Sequence, residues 1–240
     1  MSLKFKEVKP QATKHPETYL SLNNLGKHAE YQPTFDYKRQ FINDNHAYYS
    51  ICPVKSDVLI DMGIDGWLRR QDALKLYEMS FFARGDILEL GCYKGLSTSI
   101  LSQANYDSGF KKNILSIDLN NTAVEATKQT LSNQGLQERV SVIRDDAVNY
   151  VCQLAQEGKN FDFIFIDHSH AYEPVFEVCK ELQHIVAPGG FCLFHDYNDI
   201  RNINPDEKDY GVFQAVNDGL DKNFEFYGIY GCTALFRVGV

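Results

Sequence analysis

The chain has 240 residues, 44% of them hydrophobic and 23% charged, and a net charge of −8; this suits one large domain with a substantial core and excludes a wholly disordered or fibrous protein. No run of Lys or Arg exceeds two residues, so the acidic balance argues against a nucleic-acid partner and for a small molecule. The six cysteines are scattered without a CxxC pair, residues 1–30 lack a signal-peptide core, and no apolar run is long enough to span a membrane, so reduced thiols, a cytoplasmic location and no membrane partner are expected.

In chain order, residues 1–65 read as an N-terminal cap, in which Pro10, Pro16, Pro33 and Pro53 punctuate a stretch rich in Lys, Asn, Tyr and His with no apolar period. In "GWLRRQDALKLYEMSFFA", Trp67, Leu68, Leu74, Tyr77, Phe81 and Phe82 recur at helical spacing, which predicts a helix leading into the core. Five short apolar runs follow: "DILELG" (86–91), "NILSIDL" (113–119), "RVSVIRD" (139–145), "FDFIFID" (161–167) and "GGFCLFHD" (189–196). Their intervals leave room for one crossover helix each, as a parallel sheet of βαβ units requires. "APGG" predicts a helix-ending turn before the fifth run, and "GVFQAVNDGLDK" a further helix. "FEFYGIYG" and "CTALFRVGV" are separated only by a Gly-centred turn and must pair antiparallel. The expected fold over residues 66–240 is therefore α/β: a Rossmann-like doubly wound seven-stranded sheet, mostly parallel, with an antiparallel C-terminal hairpin strand.

"ILELGCYKGLST" (87–98) ends a strand and opens a helix, with Gly91 and Gly95 in the turn, where backbone can approach a ligand beside a helix N-terminus. Tyr93 stands where a dinucleotide fingerprint has its second glycine, which disfavours a nicotinamide cofactor, and no Lys-Ser/Thr pair follows as in a phosphate-binding loop. Asp118 closes the next strand, where a carboxylate can accept ribose hydroxyls. Glu89 adds a second carboxylate, which suits a ligand carrying an ammonium group. S-adenosylmethionine meets these demands.

"ELGCYKGLST", "SIDLNN", "FIFIDHSHAYE" and "APGGFCLFHDY" resemble the successive motifs of class I S-adenosylmethionine-dependent methyltransferases, specifically the catechol O-methyltransferase branch and the small-molecule enzymes grouped as Methyltransf_24. The resemblance covers about residues 66–238 and not the cap. It implies that Glu89, Gly91, Tyr93, Gly95 and Ser97 surround the methionine end of the cofactor, that Asp118 holds the ribose, that Asp146 and Ala147 meet the adenine edge, and that Asp167 lies beside the cofactor. Asp145 occupies a place where the family tends to have Gly.

"IDHSHAY" and "FHDYND" sit just past the ends of strands expected to be neighbours, so Asp167, His168, His170, His195 and Asp196 are expected to converge on one crevice. Methyl transfer to oxygen needs a positioned nucleophile that loses its proton, to a His directly or with the help of a metal. The resemblance matches Asp167 and Asp196 to two metal-ligating Asp of catechol-type enzymes, with Tyr197 where those have Asn. Three readings stay open: a divalent metal (magnesium, manganese or another) held by Asp167 and Asp196; a metal-free site with His170 or His195 as base; and structural hydrogen bonding only. Tyr172 and Tyr197 are candidate pocket or core residues, while Cys179 and His184 read as packing or surface. The expected activity is O-methylation of a small hydroxylated acceptor such as a sugar or secondary metabolite; the rivals are a non-catalytic adenosyl-ligand-binding or scaffold protein and a nicotinamide-dependent oxidoreductase, and the aromatic N-terminal segment is a candidate homodimer contact.

Overall fold

The computed structural model describes residues 59–240 apart from 205, 208 and 240, so the expected cap lies outside the described residues except for 59–65. Among the described residues, helix α1 (Arg70–Phe82) leads into β1 (Ile87–Leu90), α2 (Leu96–Ser108), β2 (Ile114–Asp118), α3 (Asn121–Gln134), β3 (Val140–Arg144), α4 (Ala147–Gln156), β4 (Phe161–Ile166), α5 (Tyr172–Ile185) and β5 (Val186–Phe194). A short 3-10 turn (Ile200–Ile203), α6 (Val212–Gly219), β6 (Phe224–Tyr230) and β7 (Thr233–Val238) complete it. The sheet order is β3-β2-β1-β4-β5-β7-β6; β1 to β5 pair in parallel, and β7 is antiparallel to both β5 and β6.

Strands β1 and β4 are apolar almost throughout because both faces are covered. Their period of two divides the core. Leu88, Leu90, Ile164 and Ile166 pack with α4, α5 and α6, whereas Ile87, Phe163 and Phe165 pack with α1 and α2 on the other face. The order reverses between β1 and β4, which places a crevice beyond their carboxyl ends.

Two local expectations are corrected, and one open alternative is decided. The helix begins at Arg70, and Trp67 and Phe82 lie exposed rather than in the core. "APGG" is not a turn: α5 runs directly into β5, and Gly189 and Gly190 lie within that strand, where its register against β4 shifts between Phe161 and Phe163. Tyr197 is a core residue, 1% exposed, packed against Phe213 and Phe236 with its hydroxyl on Asn217. Among the described residues no helix is long and apolar enough to cross a membrane, and Cys92, Cys152, Cys179, Cys192 and Cys232 are free thiols.

Candidate active site

Beyond the strand ends lies a cavity of about 910 Å³. The turn after β1 supplies Gly91, Cys92, Tyr93, Leu96 and Ser97 to its wall, and Asp118 follows β2. Asp145, Asp146, Ala147 and Val148 follow β3; Asp167 and His170 follow β4, and His195 and Asp196 follow β5. The predicted residues thus converge, apart from Glu89 and Gly95, which support the turn from behind, and Tyr172, whose hydroxyl bonds Asp218 on the outer surface. Cys179 lies in the core and His184 on the surface.

Each glycine of the turn has its own reason. Gly91 has φ +91°, and a Cβ there would stand 2.6 Å from the Asp167 carbonyl carbon and 2.8 Å from His168 Cα, so the β4 loop of the protein itself requires glycine. Gly95, at φ +88°, caps α2 and would meet Thr127 of α3 at 3.2 Å. Tyr93 adopts φ +44° without being glycine, stacks on Trp67 at 5.7 Å and forms part of the rim with the Asp65–Lys94 ion pair.

Glu89 is fully buried beneath the turn, where it accepts hydrogen bonds from the Thr98 hydroxyl (2.6 Å) and the Ser116 hydroxyl (2.5 Å). Burial pushes its carboxyl up to about 7 against the opposing pull of these hydroxyls and that of Ser97. Asp118 accepts from the backbone N–H groups of Cys92 (3.2 Å), Tyr93 (3.0 Å) and Asn120 (2.9 Å). A carboxylate has about four lone-pair sites, so roughly one remains for a ligand hydroxyl rather than two. Asp146 caps α4 by accepting from Asn149 N–H (3.0 Å).

At the other end of the cavity two carboxylates and two imidazoles interlock. His170 Nε2 lies 3.0 Å from Asp196 Oδ2, and His195 Nδ1 lies 3.2 Å from Asp167 Oδ1 and 3.3 Å from Asp196 Oδ2, within ion-pair distance of both. Burial opposes ionisation of Asp196, yet the two histidines hold its carboxyl far below the usual range. The bond to Asp196 raises the His170 pKa, and for His195 the nearby carboxylates outweigh burial and raise it well above the ordinary value. Asp196 itself sits at φ +59°, a left-handed conformation that costs a non-glycine residue energy and aims its carboxylate inward.

The histidines differ in access. His170 is half-exposed and lines the wall, whereas His195 is buried with Nδ1 on the carboxylates and Nε2 3.3 Å from Cys232 Sγ, which leaves neither nitrogen facing an acceptor molecule. His168 is a third case: burial lowers its pKa to about 4, and its Nε2 meets the Pro174 carbonyl at 3.3 Å. Sequence reasoning missed Arg201, which grips Asp199 with two bonds of 2.9 Å, stacks over Tyr210 at 4.3 Å and lines the cavity. It also missed Asp72, which reaches this end from α1.

One ligand atom each from Asp167, His170 and Asp196 lies within 4.8 Å of the others. Two carboxylates and an imidazole are a donor set that manganese, iron or zinc accepts more readily than magnesium does, so these residues fit a divalent ion. Asp72, His195 and Cys232 cluster as closely, but Asp72 spends its oxygens on backbone N–H groups of Arg69, Cys232 and Thr233. That cluster is a support.

Known proteins share the fold that carries this cavity. Residues 88–197 match a family model described as a methyltransferase domain. A curated protein, ribosomal RNA large subunit methyltransferase K/L of Pseudomonas paraeruginosa, is 26% identical over 152 residues, which are 57% of this chain and 20% of that protein. The chain thus spans about a fifth of that relative's length. Among solved structures, the O-methyltransferase TomG from Streptomyces achromogenes, in complex with S-adenosylmethionine, superposes with a TM-score of 0.62 at 17% identity, covering 86% of this chain and 93% of that one. The methyltransferase PaMTH1 from Podospora anserina, bound to S-adenosylhomocysteine, gives 0.57 at 16% identity over the whole of both chains. An O-methyltransferase from Bacillus cereus, with the same ligand, gives 0.54 at 15% identity over 98% of this chain and 93% of that one. At these identities the likeness is one of fold.

Proposed function

We propose that this chain, a class I S-adenosylmethionine-dependent methyltransferase, methylates a hydroxyl oxygen of a small acceptor, such as a sugar or secondary metabolite, with His170 as the general base. The observation that carries the reading is the His170–Asp196 pair at the cavity wall. A carboxylate only accepts, so Nε2 carries the proton toward Asp196 and Nδ1 is left as the basic nitrogen. This is the logic by which a buried Asp orients a catalytic imidazole. The net charge of −8 favours a small acceptor over RNA.

When bound, S-adenosylmethionine supplies an electrophilic methyl group on a sulfonium. The turn at 91–97, Asp118 and the segment 145–148 are the residues that would hold it along the wall. Asp167 and Asp196 orient the acceptor, His170 Nδ1 receives the proton of its hydroxyl, and the negative end of the crevice favours the protonated imidazole that results. Arg201, fixed by Asp199 and Tyr210, closes the same end.

A second reading is favoured by the convergence of Asp167, His170 and Asp196: a divalent ion held there would lower the pKa of the acceptor hydroxyl, and His170 would be a ligand. Turnover against a panel of hydroxylated acceptors, with and without a chelator, separates the two. The base reading expects chelator-resistant activity that rises with pH through a pKa above 6.5, because His170 must be neutral and its pKa is raised, and a loss of about 100-fold or more in His170→Gln. Activity abolished by chelator and restored by added metal replaces it with the metal reading. Binding of S-adenosylhomocysteine without turnover of any acceptor would instead favour a non-catalytic binding protein.

A further inference from the structure

The His195 ring is supported from behind by residues distant in sequence. Its Nε2 lies 3.3 Å from Cys232 Sγ in the β6–β7 turn, and that sulfur lies 3.5 Å from Asp72 Oδ2 in α1. All three side chains are buried. Asp72 is fixed in turn: Oδ1 accepts the N–H groups of Cys232 (2.9 Å) and Thr233 (3.1 Å), and Oδ2 accepts that of Arg69 (2.9 Å). Beyond the ring, Nδ1 faces Asp167 and Asp196.

Burial pushes the Cys232 thiol up to about 12, so it keeps its proton at neutral pH. A thiol is both a weak donor and a weak acceptor, so it can join a carboxylate to an imidazole nitrogen in either direction. With Nε2 protonated, N–H donates to sulfur and S–H donates to Asp72; with Nε2 bare, S–H donates to it. Nδ1 carries its proton toward the carboxylates in both arrangements. A ring flipped by 180° would put carbon where Nδ1 now lies, 3.2 Å from Asp167 and 3.3 Å from Asp196, and both carboxylates would lose that N–H.

We propose that Cys232 and Asp72 are positioning residues: through the thiol they hold the His195 ring with Nδ1–H toward Asp167 and Asp196, and so set the spacing of the two carboxylates that the acceptor meets. The proposal rests on the reading of this crevice as the acceptor end. Asp72 lies outside the cavity wall, and Cys232 borders the cavity but is only 3% exposed, so both act through the His195 ring. A metal at Asp72, Cys232 and His195 is a poorer account, because the Asp72 oxygens are engaged by backbone donors.

The test compares Cys232→Ser, whose hydroxyl can also donate and accept, with Cys232→Ala, which can do neither. Cys232→Ala is expected to lower kcat about tenfold or more with little change in acceptor KM or in S-adenosylhomocysteine affinity, and Cys232→Ser to recover most of that loss. Proton NMR supplies a readout independent of turnover. The buried imidazole N–H of His195, assigned by its disappearance in His195→Gln, should remain downfield in the parent and Cys232→Ser and be shifted or lost in Cys232→Ala. An unchanged signal in Cys232→Ala overturns the proposal, as does a parent-like kcat, or an equal loss in both variants accompanied by a fall in Tm, which marks a packing role alone. If the parent turns over no acceptor while the NMR result holds, the acceptor-end reading fails and the support stands.

Discussion

Replacing Gly91 with Ala separates two reasons for a glycine at this position. If glycine serves the ligand, the variant folds normally and fails to bind. The structure gives the other reason: the new Cβ would lie 2.6 Å from the Asp167 carbonyl carbon and 2.8 Å from His168 Cα, backbone atoms that cannot rotate away. The φ of +91° adds strain of about 1–2 kcal/mol for a residue with a Cβ. Overpacking against backbone adds about 1–3 kcal/mol. Together these predict a destabilisation of about 2–5 kcal/mol, read as a lower urea midpoint at unchanged slope. Because the displaced segment carries Asp167, turnover should fall as well. A variant with the parent's midpoint that has lost S-adenosylhomocysteine binding in calorimetry would refute this reasoning and return the glycine to the ligand.

Further outcomes follow from the same wall of the cavity. Glu89→Gln removes a carboxyl whose pKa is about 7 when folded and 4.5 ordinarily. Between those values the folded state alone keeps the proton, so the stability Glu89 contributes is present below 4.5 and lost as pH rises to about 7. The difference in unfolding free energy between parent and variant should decline across that window and level off above it; a flat difference contradicts the burial assigned to Glu89. Asp118→Ala should weaken S-adenosylhomocysteine by about 1–3 kcal/mol and lower stability, since three backbone donors lose their acceptor. Unchanged affinity in calorimetry would remove Asp118 from the ribose site.

The strands were legible because burial on both faces leaves a near-continuous apolar run, and each run stopped at the residue that enters the crevice: Gly91, Asp118, Asp167, His195. The same local logic failed at Gly189 and Gly190, which read as a turn although they lie within β5 beside a register shift. Tyr197 follows the His195–Asp196 pair in sequence but turns into the core, a choice set by Phe213 and Phe236 from other elements. Asp72 and Cys232 were invisible for a plainer reason. They are 160 positions apart, and nothing in "RQDAL" or "YGCTA" announces a partner. Arg201 was likewise hidden, since its partners Asp199 and Tyr210 lie in a segment without a periodic signal.

The strand order has a consequence for synthesis. β7 sits between β5 and β6, although it follows both in sequence. Until residues 233–238 have left the ribosome, β5 presents an open edge of unpaired backbone groups and β6 has no neighbour to pair with. The nascent sheet is thus five parallel strands with a sticky border, and its completion waits on the insertion of a single late segment between two earlier ones. Contacts of such long sequence separation form slowly, so premature termination just before β7 yields a chain prone to edge-to-edge association rather than a slightly shortened version of the same fold.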